Sequence, residues 1–112
     1  MTSFADMPEP PYYAVIFANQ RTPEDDAGYG AMAEAMAELA AGQEGYIGLE
    51  SARDENGFGI TVSYWTSEEA IRTWKAQAEH QAAQRLGRER WYGNFRLRVA
   101  KVERAYGFDR DG

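Results

Sequence analysis

The stretch Y-I-G-L-E-S-A-R-D-E-N-G-F-G-I-T-V-S-Y-W, residues 46–65, predicts two strands joined by a tight turn. The turn signal is Glu55-Asn56-Gly57, because Asn-Gly between two strand-like runs is typical of a β-hairpin. The second strand alternates, with Phe58, Ile60, Val62 and Tyr64 on one face and Gly59, Thr61, Ser63 and Trp65 on the other. The centre of the chain is therefore predicted to be a hairpin, and Gly48 and Gly59 leave room close to its surface.

A strand and a helix precede this hairpin. Residues 12–19, Y-Y-A-V-I-F-A-N, are aromatic and β-branched, which favours a strand. Tyr13, Val15, Phe17 and Asn19 share one face of it, and the opposite face is also apolar, so both faces are predicted to be covered. The alanine-rich residues 27–41 predict the first helix.

A helix and a strand also follow the hairpin. Thr66-Ser67-Glu68-Glu69 predicts a helix start with a capping box between Thr66 and Glu69. The helix is expected to continue to about residue 86, with Ala70, Ile71, Trp74 and Ala78 on its apolar side. After a loop over 88–94, the alternation of apolar and basic residues predicts a long fourth strand over 95–106.

The predicted order is strand, helix, strand, strand, helix, strand. This is the ferredoxin-like βαββαβ pattern of the α+β class, a four-stranded antiparallel sheet with both helices on one face. The other face carries aromatic residues and has no cover within one chain. A homodimer that packs two sheets face to face is expected, with a cavity between sheet and helices in each subunit.

Length and composition limit the remaining possibilities. The chain has 112 residues, 12 basic and 18 acidic side chains and a net charge of −6, which predicts one globular domain with little affinity for nucleic acid. It has no cysteine, so disulfides and thiolate chemistry are excluded. Residues 1–11 predict a flexible or extended arm rather than a signal peptide, no membrane span is expected, and the cytoplasm is the default location.

The charge is unevenly distributed along the chain. Seven basic residues lie between Arg85 and Arg104, whereas Arg21 is the only base in residues 1–50. Two interpretations stay open, solvated faces of one fold or a rim that attracts an anionic ligand. Aromatic residues among these bases also suggest single-stranded nucleic acid, which the acidic remainder disfavours.

Residues 57–106 resemble the antibiotic biosynthesis monooxygenase family. The resemblance is carried by S-Y-W-T-S-E-E-A-I-R-T-W-K-A-Q-A-E-H, residues 63–80, and R-L-G-R-E-R-W-Y-G-N-F-R-L-R-V-A-K-V-E-R, residues 85–104. It implies a single domain over residues 12–108 and a dimeric α+β barrel. Members of the family include cofactor-free oxygenases of aromatic polyketides, haem-degrading enzymes and small proteins of unknown activity, so fold alone does not decide function.

Cofactor-free oxygenation needs a phenol or quinol-like substrate, a base, hydrogen bonds to the resulting anion, and a dry apolar pocket. We therefore predict catalytic roles for Asn19, Trp74 and His80, since histidine accepts protons near neutral pH and amide or indole N–H groups stabilise oxyanions. The pocket for a flat aromatic substrate is predicted to be lined by five aromatic residues, Phe17, Tyr46, Tyr64, Trp65 and Trp91. Dioxygen is the second substrate, and no metal is expected.

Each of these residues also has a purely structural interpretation. On one continuous helix His80 falls opposite the buried side, whereas a helix broken near Ala78 would turn it towards the cavity. Trp74 is otherwise a core residue, and Asn19 otherwise ends a strand. Trp65 and Trp91 are otherwise core or dimer contacts.

The resemblance leaves three functions open. The first is a cofactor-independent monooxygenase, and the second is a non-catalytic dimeric module that binds a small molecule. The third is a haem-binding or haem-degrading protein, for which Asn19 and Trp74 match the family's positions. The iron-ligating histidine does not match cleanly, because that branch has it one turn beyond His80, where this chain has Gln84, a poor iron ligand.

Overall fold

The computed structural model describes residues 4–21, 35–85 and 92–110. Its strands are β1 (Tyr12–Arg21), β2 (Tyr46–Arg53), β3 (Phe58–Trp65) and β4 (Tyr92–Val102). Helix α1 is seen over 35–41, between β1 and β2, and α2 (Glu68–Arg85) connects β3 to β4. The predicted βαββαβ order is confirmed.

The four strands form one antiparallel sheet in the order β2-β3-β1-β4. Because paired residues point to the same side of a sheet, the register defines its two faces. Tyr13, Val15, Phe17 and Asn19 of β1 lie opposite Trp65, Ser63, Thr61 and Gly59 of β3, and together they form the helix-side face. Tyr12, Ala14, Ile16 and Ala18 belong with Tyr64, Val62 and Ile60 to the outer face. Both faces have the membership predicted from the alternation.

The core lies on the helix-side face. Val15 and Trp65 of the sheet pack with Ala40 of α1 and Ile71 of α2, and all four are nearly inaccessible to solvent. Both helices therefore cover the same face, as predicted. Trp65 is completely buried and is the largest side chain of this cluster, so it contributes the largest hydrophobic area.

The outer face is covered at one end by the segment before β1. The amide of Ala5 donates a 3.1 Å hydrogen bond to Glu50 Oε2 on β2. A Cβ on Gly48 would lie 3.0 Å from Ala5 Cβ, so the room that Gly48 leaves is filled by this segment. At the other end of the same face Phe58 and Ile60 remain 45% and 42% exposed.

Two local predictions are corrected. The N-cap of α2 is Ser67 rather than Thr66, since Ser67 Oγ accepts a 3.1 Å hydrogen bond from the amide of Ala70. Strand β4 begins at Tyr92 and ends at Val102, earlier at both ends than the predicted 95–106, because its partner β1 ends opposite Tyr92 and begins opposite Val102. The predicted helical residues 27–34 lie outside the described part of the chain.

Candidate functional site

Three residues form a row across the helix-side face at one end of the sheet. Arg53 on β2 pairs with Gly59 on β3, and Gly59 pairs with Asn19 on β1. Adjacent strands are about 4.8 Å apart, so Arg53 and Asn19 are separated by the width of one strand that carries no side chain at this position. Arg53 therefore reaches across β3 to Asn19.

Asn19 is 2% exposed and is held by a charge-assisted hydrogen bond. Nη2 of Arg53 donates to Asn19 Oδ1 at a distance of 2.7 Å. A guanidinium only donates, so the amide oxygen must face Arg53 and the amide NH₂ must point the other way. The contact thus determines which end of the amide is presented to the helix side of the sheet.

The Nδ2 atom of Asn19 is buried and has no hydrogen-bond partner among residues 4–21, 35–85 and 92–110. Leaving a buried donor unsatisfied costs about 1–3 kcal/mol. The Asn19 amide is therefore held in place with an N–H donor that lacks an acceptor in the described residues. Such a donor is suited to an oxygen atom of a bound molecule, and an anionic oxygen would be bound most strongly.

The β2–β3 turn fixes Arg53 at its base. Arg53 Nη1 donates to the carbonyl of Gly57, which also accepts a 3.0 Å bond from the amide of Arg21. Asp54 Oδ1 accepts hydrogen bonds from the amides of Asn56 and Phe58, each with a length of 2.9 Å. Gly57 has a φ of +90°, the conformation for which the predicted Asn-Gly turn requires glycine. The predicted hairpin therefore also anchors the arginine.

Aromatic side chains occupy the other end of the helix-side face. The ring of Trp65 lies 5.3 Å from that of Trp74 and 5.4 Å from that of Tyr46. Burial raises the pKa of Tyr46 above the ordinary value of a tyrosine. The three predicted residues are therefore brought together, and Trp65 is a core residue among them.

The two indole N–H groups of this cluster differ in their hydrogen bonding. Trp65 Nε1 donates a 2.9 Å hydrogen bond to Ser63 Oγ. Trp74 Nε1 is buried, and no acceptor for it lies in the described ranges. Trp74 Nε1, like Asn19 Nδ2, is thus a buried N–H group without an acceptor in the described part of the chain.

Phe17 lies between these two ends. It is half-buried, and its ring is 5.5 Å from that of Phe95 on β4. Beside it, Thr61 Oγ1 on β3 lies 2.9 Å from Ser51 Oγ on β2, and this pair is exposed to solvent. The face next to Asn19 therefore combines an apolar ring pair with hydroxyl groups, a lining that suits an oxygenated aromatic molecule.

Two predicted site residues, His80 and Tyr64, are not brought to Asn19. His80 is on α2 with an exposed side chain. Tyr64 lies on the outer face, where its hydroxyl donates to Glu50 Oε1 over 2.7 Å and its ring meets that of Tyr12 edge-on at 5.8 Å. Trp91 lies outside the described residues. Asn19 and Trp74 therefore place two buried N–H groups on the helix-side face, one towards each end of it.

Arg53 was missed by sequence reasoning. The signal that could have found it is the hairpin register, which places Arg53 beside Gly59 and Gly59 beside Asn19. We had expected Gly59 to leave space over the sheet, and the guanidinium of Arg53 fills that space.

Two further searches of the described residues gave no site. None of their His, Asp and Glu side chains cluster in threes that could hold a metal ion. Within the same ranges, no helix combines the length and apolar character that crossing a bilayer requires.

Comparison with known proteins identifies relatives of this chain. YqjZ, an uncharacterized protein of Bacillus subtilis, is 53% identical over 104 residues, which are 93% of this chain and 90% of YqjZ. Jasmonate monooxygenase ABM of Pyricularia oryzae is 29% identical over 94 residues, 80% of this chain but only 43% of that protein.

A solved structure supports the fold. SnoaB, a cofactor-independent oxygenase from Streptomyces nogalater, superposes with a TM-score of 0.69 at 15% identity, over 86% of this chain and 97% of SnoaB. Residues 12–86 match the family model described as antibiotic biosynthesis monooxygenase. Together with the four-stranded sheet and its two helices, this match shows that the chain belongs to the antibiotic biosynthesis monooxygenase family.

Proposed function

We propose that this protein is a cofactor-independent monooxygenase that acts on an aromatic or quinol-like small molecule. The observation that carries the proposal is the buried amide of Asn19, whose oxygen is bonded to Arg53 and whose Nδ2 lacks an acceptor in the described residues. Such a donor stabilises a phenolate or enolate oxygen, the form of the substrate that reacts with dioxygen. The names of the relatives SnoaB and jasmonate monooxygenase agree with this class of reaction.

The reaction can be written for 1-naphthol as a model substrate. The hydroxyl proton is removed, and the anion transfers one electron to dioxygen. The resulting radical and superoxide combine at the ring carbon para to the oxygen, forming a peroxide. That carbon then loses its proton as the O–O bond breaks, which gives the quinone and water. One oxygen atom enters the product, the other becomes water, and all electrons come from the substrate.

The residues of the chain have separate roles in this scheme. Asn19 Nδ2 donates to the substrate oxygen, and Trp74 Nε1 is a second donor for an oxygen atom of the substrate or the peroxide. Phe17 contacts the ring system. His80 remains the proposed proton acceptor, and because its exposed side chain is not beside Asn19, the substrate proton would reach it through water.

We also propose that a second copy of the chain covers the outer face. Its support is the exposure of Phe58 and Ile60 next to Val62 and Ile16, an apolar area that a second sheet would bury. This contact would use the face of the sheet opposite to the one that carries Asn19.

Oxygen uptake with 1-naphthol tests the proposed activity, with product analysis for 1,4-naphthoquinone. Formation of water rather than hydrogen peroxide, shown by the absence of oxygen release on adding catalase, identifies a monooxygenase. Asn19→Ala is expected to lower kcat about 10²-fold, as for the loss of one oxyanion donor. Lys75→Ala, which removes only an exposed ion pair on α2, is the matched control and should have wild-type kcat.

Two results would replace the proposal. No uptake by the wild type, together with saturable binding of 1-naphthol, would indicate a non-catalytic binding module. A sharp Soret band on adding hemin, weakened in His80→Ala, would indicate the haem-binding alternative.

A further inference from the structure

We infer that Arg53 is a positioning residue that orients the Asn19 amide and so determines which oxygen atoms the site can bind. The inference deepens the proposed function and rests on it for its catalytic consequence. The orientation itself is a property of the folded chain and can be tested without any substrate.

The first support is the space that Gly59 leaves. A Cβ built on Gly59 would lie 2.8 Å from Arg53 Cζ and 3.1 Å from Nη1. Real Cβ atoms do not approach a planar guanidinium so closely, so any side chain at this position would displace it. The absence of a side chain at position 59 is therefore what allows Arg53 to reach Asn19.

The second support is the chemistry of the two side chains. The Asn19 amide has two orientations related by a half-turn about χ2. In one its oxygen faces the guanidinium, and in the other its NH₂ does. The second orientation would place two donors against each other beside a positive charge, which is strongly unfavourable. Arg53 therefore selects the orientation that presents Nδ2–H₂ as a donor.

The third support is the second attachment of Arg53. Its Nη1 donates to the carbonyl of Gly57 while Nη2 donates to Asn19 Oδ1. Two hydrogen bonds from one rigid plane leave the guanidinium little rotational freedom. The positive charge on the oxygen side of the amide also polarises its N–H bonds, which favours an anionic oxygen over a neutral one at Nδ2.

NMR relaxation of the Asn19 side-chain ¹⁵NH₂ group tests the orientation directly. In the wild type we expect an order parameter of about 0.8, and in Arg53→Met a value below about 0.6. Arg53→Lys, which restores one donor and the charge, should give an intermediate value. Arg96→Met is the control, because Arg96 is an exposed arginine on β4 whose Nη1 donates to the carbonyl of its neighbour Phe95. An unchanged order parameter and chemical shift in Arg53→Met would overturn the inference.

Gly59→Ala gives an independent test that keeps the arginine. The added methyl group should displace the guanidinium and raise the mobility of the Asn19 amide, as Arg53→Met does. If Arg53→Met does not fold, this variant decides the question alone. A rigid, unshifted Asn19 amide in folded Gly59→Ala would contradict the inference.

A double-mutant cycle on the oxygenation of 1-naphthol tests the catalytic consequence. Arg53→Met should lower kcat about 10- to 100-fold with little change in KM, the effect of a misplaced donor. In the Asn19→Ala background the same substitution should have no further effect, because Arg53 acts through Asn19. An equal loss in both backgrounds would assign Arg53 a separate role.

The two proposals fail in different ways. If the wild type oxidises no phenol, the proposed function fails, and the NMR result still decides whether Arg53 orients Asn19. If oxidation occurs and the amide does not respond to Arg53, only the positioning role fails.

Discussion

The amide of Thr66 donates a 2.8 Å hydrogen bond to the carbonyl of Gly45. This bond joins the start of β2 to the connection between β3 and α2, two segments that are neighbours in the sheet and distant in the chain. Gly45 has a φ of +92°, and a Cβ there would lie 2.6 Å from Ala70 Cβ and 2.9 Å from Thr66 Oγ1. The site of contact therefore has space only for glycine.

Replacing Gly45 tests this contact. Gly45→Ala is expected to lower the free energy of unfolding by at least about 2 kcal/mol, because the backbone is strained and the methyl group overlaps Ala70. Gly42→Ala is the control, since its Cβ would meet only carbonyl oxygens at 3.7 and 3.8 Å. Urea denaturation measures both, and equal stabilities would contradict the assignment.

The cap of α2 gives a second prediction. Ser67→Ala should destabilise the protein by about 1 kcal/mol, because the amide of Ala70 loses its acceptor. Thr66→Ala, at the position expected from the sequence pattern, should change stability by less than about 0.5 kcal/mol. Thermal unfolding of the two variants distinguishes the two candidate N-caps. The reverse order of stabilities would show that Thr66, rather than Ser67, is the N-cap.

The outer face contains a tyrosine, Tyr64, whose pKa is raised. Burial and the hydrogen bond to the Glu50 carboxylate raise the pKa of Tyr64 to about 12. Ultraviolet difference titration against Tyr64→Phe should show this step, and Glu50→Gln should move it towards 10 without reaching it, because the burial remains. A Tyr64 step near pH 10 in the wild type would show that the bond to Glu50 is not made.

The same raised pKa predicts how stability depends on pH. The unfolded chain releases the Tyr64 proton near pH 10, whereas the folded chain keeps it until about pH 12. The stabilising contribution is therefore complete below pH 10 and is lost as the pH rises from about 10 to about 12. Urea midpoints across this range should fall more steeply in the wild type than in Tyr64→Phe.

The two stacked tryptophans should respond differently to substitution. Trp74→Phe removes an N–H group that has no acceptor in the described ranges, so we expect little change in stability and a loss of activity. Trp65→Phe leaves a gap in the core and removes the donor to Ser63, at a cost of about 2 kcal/mol. Measuring kcat and unfolding free energy for both variants checks this, and a stability loss for Trp74→Phe as large as that for Trp65→Phe would make Trp74 a core residue.

A charged substitution tests the proposed dimer. Ile60→Glu places a carboxylate in the exposed apolar end of the outer face and should convert a dimer into a monomer in sedimentation velocity. Ala76→Glu, at an exposed position on α2, should leave the dimer intact. A wild-type monomer at micromolar concentration would exclude the proposed assembly.

The fold could be predicted because its signals are local. Alternation in residues 58–65 assigns each side chain to a face, and Asn-Gly fixes the turn, so the hairpin and both faces are confirmed. The same alternation separates Tyr64 from Trp65, although both were expected to contact substrate. The N-cap needed geometry, because Thr66 and Ser67 are both good caps and only the helix start decides between them.

The site could be predicted only in part. Asn19 stood out as a polar residue that ends an apolar row. The contact between Arg53 and Asn19 depends on the strand order and on the register across three strands. The two residues are 34 positions apart, and no local sequence pattern connects them. The spacing placed Trp74 on the apolar side of its helix, but it could not show that the indole N–H lacks an acceptor among the described residues.

The strand order also explains the basic residues near the C-terminal end of the sequence. β4 is at one edge of the sheet, where the backbone groups on its outer side have no strand beside them in the described part of the chain. Exposed Arg96, Arg98 and Lys101 follow this edge. Positive charges along an open edge repel the same edge of another molecule, so they oppose fibril-like growth of the sheet at high concentration. Neutralising them should therefore lower the solubility of the protein before it affects its fold.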